Sequence, residues 1–382
     1  MPRHPMSSPI VSAMPGAVFS RLAHKIAAFD GEVFPLHVGD TWMEPFVGAR
    51  MQDFPVEEYP GMHRYSSPQG MPALRKALLE KLRDHNHLPV EKGDVLVGAG
   101  ATGVLGAAIG MLASPGDEIL ILAPFWPLIS GIVSTFRATP VEVPFYGHVA
   151  SAEEACQAIE AAISPRTVAV YVSTPSNPTG RLIPEDWLMA IAELARRKDL
   201  WVLSDEVYEN LVYSGQHVSI GRFAPERTLS AFSFSKSYGM AGNRTGYLAG
   251  PSAVIQECAK VSRHTFYSAP TAGQMAALSA LRDGDSWLEN ARTSYEKAGN
   301  RAAEILGVSR AEGGTFLFLD VAAQLDERGI FGFLEDCLDD GLLLAPGPSF
   351  GKGYEKYVRV CFTSAPPDRV EEAVKRLARR LV

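Results

Sequence analysis

One lysine, Lys236, stands out because of the residues around it. It lies in the run TLSAFSFSKSYGMAGN and is the only charged residue between Arg227 and Arg244. A lysine among serine, phenylalanine, tyrosine and glycine is expected to be buried, and burial lowers the pKa of an amine from about 10.4 towards neutrality. The uncharged amine is a nucleophile that condenses with a carbonyl group to form a Schiff base. Taken singly, however, a lysine is more often a surface residue than a nucleophile.

A second candidate site is the glycine-rich segment GAGATG, which follows the apolar run DVLV. It satisfies the GxGxxG pattern of dinucleotide sites, which also require an acidic residue at the carboxyl end of the next strand to bind a ribose hydroxyl. The next strand, EILIL, is followed by APFW, and its acidic residues stand at its beginning. We therefore interpret Gly100, Ala101 and Thr102 as a phosphate site at a helix N-terminus. A turn that only packs the helix on the sheet is the alternative.

The lysine segment itself, SFSKSYGMAGNRTGY, resembles the cofactor-lysine segment of the class I/II aminotransferases, which are fold-type I pyridoxal-phosphate enzymes. The resemblance implies that Lys236 carries pyridoxal 5′-phosphate as a Schiff base and that Ser233 and Arg244 bind the phosphate. Arginine suits this role because its planar fork meets phosphate oxygens bidentately and keeps its charge. Asn243 stands where the family often has a bulky residue, a difference expected to alter the pocket wall and to leave the phosphate contact intact.

The resemblance extends over nearly the whole chain, with further motifs in the family's order. STPSNPTG supplies Asn177, and SDEVYENLVY supplies Asp205 and Tyr208. The resemblance implies that Asn177 and Tyr208 bind the phenolic oxygen of the cofactor, while Asp205 pairs with its pyridine nitrogen. Such a carboxylate keeps the ring protonated, which makes it a better electron sink. Asp205 also ends an apolar strand, where α/β sheets bind ligands, although on its own it is consistent with a helix cap.

Four more residues complete the expected site by resemblance. Trp126 of APFWPL would stack on the pyridine ring, although core packing would be favoured for it without this context. Tyr65 of HRYSSPQGM would reach the phosphate of a neighbouring subunit, which implies a homodimer with shared active sites. Gly39 of FPLHVGD and Arg359 of YVRVCF, with Asn177, would bind the substrate carboxylate, for which an arginine fork is the natural partner. Strand alternation alone leaves open whether Arg359 faces solvent.

The elements that position these residues can be inferred from hydrophobic patterning. From about residue 94, short β-rich runs alternate with helix-length amphipathic segments, which is the pattern of βαβ units. The strand-like runs are almost continuously apolar, as in sheets covered by helices on both faces. We therefore expect an α/β fold, with a mostly parallel, doubly wound sheet in a large domain at 45–285. The N-terminal segment 1–44 and residues 286–382 are expected to form a smaller α+β domain.

Composition disfavours several other classes of protein. The 382 residues are 46% hydrophobic and 21% charged, which is typical of a globular protein large enough for two lobes. A net charge of −7 without a basic run argues against nucleic acid as a partner. The four scattered cysteines show no metal-ligand spacing. No signal peptide or membrane span is recognisable, so we expect no membrane partner and a cytoplasmic location.

The expected activity is transfer of an amino group from an L-amino acid to a 2-oxo acid in two half-reactions, which predicts ping-pong kinetics. Lys236 would take the Cα proton and return it to the C4′ carbon of the cofactor, with Asp205 and Tyr208 as the other catalytic residues. A fold-type I lyase or decarboxylase remains an alternative because it differs only in the Cα bond that breaks. A nicotinamide-dependent dehydrogenase, suggested by GAGATG, and a non-catalytic binding module are remote alternatives.

Overall fold

The structure, a computed structural model, describes residues 6–14, 16 and 22–381. Ten strands occur in the described part of the chain: β1 Val95–Ala99, β2 Glu118–Ala123, β3 Thr139–Pro144, β4 Thr167–Ser173, β5 Trp201–Asp205, β6 Thr228–Ser233, β7 Thr245–Ala249, β8 Phe316–Asp320, β9 Ala345–Pro346 and β10 Tyr357–Cys361. The first seven form one sheet with the order β1-β7-β6-β5-β4-β2-β3, and the last three form a second sheet with the order β8-β10-β9.

The described α-helices are α1 Pro9–Ala13, α2 Ala23–Ala28, α3 Pro72–Asp84, α4 Gly100–Leu112, α5 Leu128–Thr135, α6 Ala152–Ala161, α7 Glu185–Arg197, α8 Phe234–Ser237, α9 Ser252–Thr265, α10 Thr271–Asp283, α11 Asp285–Leu306, α12 Gly329–Asp339 and α13 Pro367–Arg380. The predicted alternation of strands and helices from about residue 94 is present from β1 to β5, where α4, α5, α6 and α7 separate successive strands.

The large sheet is mostly parallel, as predicted. Strands β3, β2, β4, β5 and β6 run parallel to one another. Strand β7 lies between β1 and β6 and is antiparallel to both. The expected α/β fold is confirmed, and the one reversed strand makes the sheet mixed.

Both faces of the large sheet are buried, as the continuous apolar runs predicted. In β2, Ile119 and Ile121 belong to one core cluster, whereas Leu120 and Leu122 belong to another. Successive side chains of a strand point to opposite faces, so the two clusters lie on the two sides of the sheet. Burial of each such side chain contributes about 1.5–3 kcal/mol, and a strand with this pattern is stable only between two layers of helices.

The small sheet packs with both ends of the chain. Its three strands are antiparallel, and its core includes Val358 and Val360 together with Phe34 and Leu36 from the N-terminal segment. A bridge between Phe34 and Leu342 joins the two segments directly. The apolar stripe of α13 is buried in the same core. The bounds of the two domains remain a prediction.

Two features are absent from the described residues. None of their helices is long and apolar enough to cross a membrane. Within the same residues, no group of three or more His, Cys, Asp or Glu side chains is placed to hold a metal ion. All four cysteines are free thiols.

Candidate active site

A cavity of about 210 Å³ lies at the carboxyl ends of the parallel strands. This is the edge of an α/β sheet at which ligands bind. The cavity is lined by Gly39, Ala101, Thr102, Trp126, Asn177, Asp205, Val207, Tyr208, Ser233, Ser235, Lys236, Ala241, Arg244 and Arg359. The structure therefore brings together all the residues predicted for the site except Gly100, which lies directly behind the lining, and Tyr65.

Lys236 enters the cavity from the short helix α8. The Oγ of Ser233 caps this helix by accepting a hydrogen bond from the Ser235 N–H at 3.0 Å. The half-buried Lys236 side chain donates from Nζ to the carbonyl oxygen of Gly39. Burial lowers the pKa of this amine, while the carboxylate of Asp40 opposes the shift. A buried amine with a lowered pKa has the properties needed of a nucleophile or a general base.

Asp205 ends β5 with its carboxylate buried in the cavity wall. Oδ2 accepts a hydrogen bond from the Tyr171 hydroxyl at 2.6 Å, and Oδ1 accepts one from the Val207 N–H at 3.3 Å. Burial raises the pKa of Asp205 to about 6, although both hydrogen bonds oppose the shift. The described residues bring no cation within ion-pair distance of this carboxylate. A buried carboxylate without a counter-ion is suited to a ligand that supplies a positive charge, such as a protonated pyridine nitrogen.

Glu206, the next residue, has the opposite environment because side chains alternate along the chain here. Its Oε1 accepts a hydrogen bond from Ser204 at 2.9 Å, and its Oε2 contacts His217 Nε2 at 2.9 Å and the Ser219 hydroxyl. Burial alone would raise the pKa of Glu206, but these contacts hold it below its ordinary value. Of these two adjacent carboxylates, that of Asp205 faces the cavity and that of Glu206 belongs to a buried hydrogen-bond network.

Arg244 approaches the other end of the cavity at the start of α4. Its guanidinium donates to the carbonyls of Ala241 at 3.1 Å and Ala99 at 3.4 Å. The backbone of Gly100 passes so close to this group that a Cβ there would lie 2.6 Å from Nη2, and Gly100 has a φ of +71°. Glycine is favoured at this position by the left-handed backbone, and its lack of a side chain leaves room for the guanidinium.

The N-terminus of α4 is open to an anion. Its N-cap residue, Ala99, provides no side-chain hydrogen bond to the first turn, and Ala101 and Thr102 of that turn line the cavity. Free backbone N–H groups at a helix N-terminus bind anions such as phosphate. Together with Arg244 and the Ser233 hydroxyl, they form a donor set that fits a phosphate group.

Arg359 faces the interior, which answers the question left open by strand alternation. It is only 7% exposed. Nη1 donates to Asn177 Oδ1 at 2.8 Å, Nη2 donates to the His37 carbonyl at 2.7 Å, and the guanidinium lies over the Phe316 ring at 4.0 Å from its centroid. Its Nε is buried and has no acceptor among the described residues. Arg359 therefore offers a free donor to a carboxylate that enters the cavity.

The remaining lining residues shape the cavity between these charged groups. Tyr208 is buried edge-on against Phe316, with 5.8 Å between ring centroids, and burial raises the pKa of its hydroxyl. Gly39 also packs on Phe316, where a Cβ would lie 2.7 Å from Cζ. Trp126, which follows β2, is half-buried and exposes part of its ring to the cavity. The predicted residues thus enclose a cavity with both polar and aromatic walls.

Two residues singled out from the sequence lie outside the cavity. Tyr65 is 85% exposed. Among the described residues, its one ring contact is with Tyr267, at 4.9 Å between centroids. Asn243 is buried beside Gly273 and does not line the cavity, so any effect on the pocket wall would be indirect. Conversely, sequence reasoning missed Tyr171, whose only signal was a phenolic hydroxyl between two valines of the run TVAVYVS.

Comparisons with known proteins give a consistent result. The family model for aminotransferase class I and II matches residues 38–377. The chain is 34% identical over 332 residues to the aspartate/prephenate aminotransferase of Thermus thermophilus, with 84% of each chain covered. It is 31% identical over 363 residues to the arginine–pyruvate transaminase of Pseudomonas aeruginosa, covering 91% of this chain and 89% of that protein. The solved Thermus thermophilus aspartate aminotransferase with maleate superposes with a TM-score of 0.88 at 29% identity, covering 99% of this chain and 100% of that one.

Proposed function

Because the chain belongs to the class I and II aminotransferases, we propose that the cavity around Lys236 is where it transfers an amino group from an L-amino acid to a 2-oxo acid. We propose pyridoxal 5′-phosphate as its cofactor. The observation that carries this assignment is the combination of three groups in one cavity: the amine of Lys236, the buried carboxylate of Asp205, and the cationic end formed by Arg244 at the start of α4.

The donor set fits the cofactor at both of its ends. Asp205, whose carboxylate has no cationic partner among the described residues, would hold the ring nitrogen. Arg244, Ser233 and the N–H groups of Ala101 and Thr102 would hold the phosphate. When bound, the cofactor supplies an electron sink for the electrons left on the substrate's Cα.

The walls between the two ends suit the ring. Trp126 would cover one face of it, and Tyr208 and Asn177 would bind its phenolic oxygen. Asn177 accepts from Arg359 through Oδ1, which leaves its Nδ2 group as the donor to that oxygen. Asn177 would in this way connect the cofactor site to the substrate site.

Arg359 and Lys236 would act on different groups of the substrate. Arg359, helped by the backbone at Gly39, would bind the α-carboxylate through Nε and orient Cα towards the cofactor. Lys236 would take the proton from Cα and return it at the C4′ carbon, and the lowered pKa of its amine suits this proton transfer.

We further propose that the protein is a homodimer. Large apolar side chains are exposed along the segment that precedes α3, among them Trp42, Val47, Met51, Val56 and Tyr65, and such patches mark interaction surfaces. In a dimer, Tyr65 would reach the phosphate of the partner's cofactor. Light scattering at micromolar concentration should give twice the chain mass, and Tyr65→Phe should weaken cofactor binding. A monomer of full activity would contradict this proposal.

The proposed location is the cytoplasm. All four cysteines are free, and two of them, Cys337 and Cys361, are buried in the C-terminal part. Free thiols of this kind are typical of a reducing compartment. Fractionation of cells that express the protein at native level tests the proposal, and recovery outside the cytosolic fraction would contradict it.

The names of the relatives point to different substrates, including aspartate or prephenate and arginine with pyruvate. These compounds share the α-amino or α-oxo acid group, which Lys236 and Arg359 would engage, and differ in their side chains. A screen of the twenty amino acids should find donors that change the visible absorbance of the cofactor-loaded protein, and a 2-oxo acid should restore it. Release of carbon dioxide or ammonia without restoration would instead support the lyase or decarboxylase alternative. Lys236→Ala is the control.

A further inference from the structure

One side chain outside the cavity donates a hydrogen bond to the Asp205 carboxylate. Tyr171 on β4 donates its hydroxyl to Oδ2 at 2.6 Å, and the two residues are 0% and 4% exposed. The other oxygen accepts only the Val207 N–H, at 3.3 Å. Tyr171 is thus the one side-chain donor to this carboxylate among the residues that the structure describes.

We propose that Tyr171 is a positioning residue for amino transfer: its hydroxyl fixes the orientation of the Asp205 carboxylate and keeps it ionised, ready to bind a protonated ring nitrogen. The inference rests on the proposed function, since the role has meaning only if Asp205 binds that nitrogen. Tyr171 itself contacts neither the cavity nor a reacting atom, because it does not line the cavity.

The surroundings of Asp205 explain why a donor is needed there. Burial opposes ionisation and raises the pKa of Asp205 to about 6, and the neighbouring charge of Glu206 acts in the same direction. Among the described residues, Tyr146 and Tyr208 also interact with Asp205, and both are neutral tyrosines with raised pKa values. The Tyr171 hydroxyl opposes burial by donating to the charged form.

The sheet fixes the position of the Tyr171 hydroxyl. Tyr171 pairs with Leu203 on β5, two residues before Asp205, and its ring is fully buried in the core with Leu203 and Ala231. A ring that is packed in a sheet core occupies one rotamer. The hydroxyl therefore needs little further ordering to meet the carboxylate, and phenylalanine at this position would keep the packing while removing only the donor.

The experiment compares Tyr171→Phe with a matched control, Tyr146→Phe. Tyr146 is also a buried tyrosine, but its hydroxyl donates to the backbone carbonyl of Ser173 and not to Asp205. The first readout uses the cofactor-free protein, in which infrared difference spectra against Asp205→Asn follow protonation of the carboxyl group with pH. Tyr171→Phe should move the pKa of Asp205 upwards, and Tyr146→Phe should leave it in place. A merely structural role for Tyr171 would not separate the two variants in this way.

The second readout is steady-state turnover of the cofactor-loaded protein. Loss of a hydrogen bond to a charged group should lower kcat by about tenfold, with the KM for the amino acid within about threefold because Tyr171 lies away from the substrate carboxylate site. On an Asp205→Asn background the same substitution should change kcat by less than about twofold, since the carboxylate on which it acts is gone.

The outcomes distinguish this inference from the proposed function. If Tyr171→Phe leaves both the Asp205 titration and kcat unchanged, or lowers kcat equally with and without Asp205, the positioning role is wrong while amino transfer stands. If Lys236→Ala keeps near-normal turnover, the proposed function is wrong whatever Tyr171 does.

Discussion

Replacement of Arg359 by lysine tests the geometry of the substrate carboxylate site, because it keeps the positive charge and changes the shape of the charged group. Three features of the arginine are lost together: the Nη1 bond to Asn177, the Nη2 bond to the His37 carbonyl, and the contact of the guanidinium with the Phe316 ring. The free Nε donor is lost as well. A lysine ammonium is a compact point charge and cannot reproduce a planar fork with fixed donors.

The size of the effect follows from the contacts that a substrate carboxylate would make. The free Nε donor would give the substrate carboxylate a charge-assisted hydrogen bond with a fixed direction, and a lysine would not reproduce that bond. Such a bond contributes about 1.5–3 kcal/mol, so the KM for the amino acid should rise by about 10-fold to 150-fold. The kcat should fall less, because the groups that move the proton remain in place.

The assay is the first half-reaction, measured from the change in cofactor absorbance over a range of amino acid concentrations. Arg75→Lys is the control, since Arg75 is also partly buried and donates to a backbone carbonyl, that of Val95 at 3.1 Å, but lies away from the cavity. The control should keep the wild-type KM. An unchanged KM in Arg359→Lys, or an equal rise in both variants, would refute the assignment of the carboxylate site.

Three further substitutions test other parts of the site. Lys236→Ala should abolish turnover while the protein still binds the cofactor noncovalently, as followed by equilibrium dialysis; activity near that of the wild type would overturn the assignment of the amine. Arg244→Gln should weaken cofactor binding by about tenfold or more, because a charge-assisted contact to phosphate is lost, whereas an unchanged dissociation constant would place the phosphate elsewhere. Asp205→Asn should stabilise the cofactor-free protein at pH 8 and not at pH 4, as urea unfolding would measure. The folded pKa of about 6 lies above the unfolded value of 3.8, so folding favours the protonated form, and the stability that this provides is lost as pH rises from about 4 through 6, by about 3 kcal/mol at most at 1.36 kcal/mol per unit. Equal stabilisation at both pH values would show that ionisation of Asp205 is not the cause.

Much of the site could be predicted because its residues follow strands in sequence. Asp205 ends β5, Ser233 ends β6, and Asn177 follows β4 closely. In a parallel sheet, these ends meet at one edge, so a correct strand assignment already brings the residues together. The prediction that both faces of the sheet are covered succeeded for a similar reason, since continuous apolar runs have no other stable environment in a soluble protein.

What could not be predicted depends on contacts between distant segments. Strand β7 is reversed by its connection to β6. The apolar run GYLAG predicts a strand there but does not show in which direction the strand runs. The Tyr171–Asp205 bond joins residues 34 apart, and the Arg359–Asn177 bond joins residues 182 apart. Their formation depends on strand order and on how the small sheet lies against the large one. The hydrophobic periodicity of the sequence carries no information about either arrangement. The role of Tyr65 depends on a second chain altogether.

The central claim, that the amine of Lys236 carries the cofactor, is tested most directly by mass spectrometry of the borohydride-reduced holoprotein. Trypsin cleaves after Arg227, Lys236 and Arg244 in the unmodified chain, whereas a pyridoxyl group on Lys236 blocks the middle cut. We therefore predict a single modified peptide that spans residues 228–244. A pyridoxyl group on another lysine, or separate unmodified peptides 228–236 and 237–244 after full reduction, would contradict the claim.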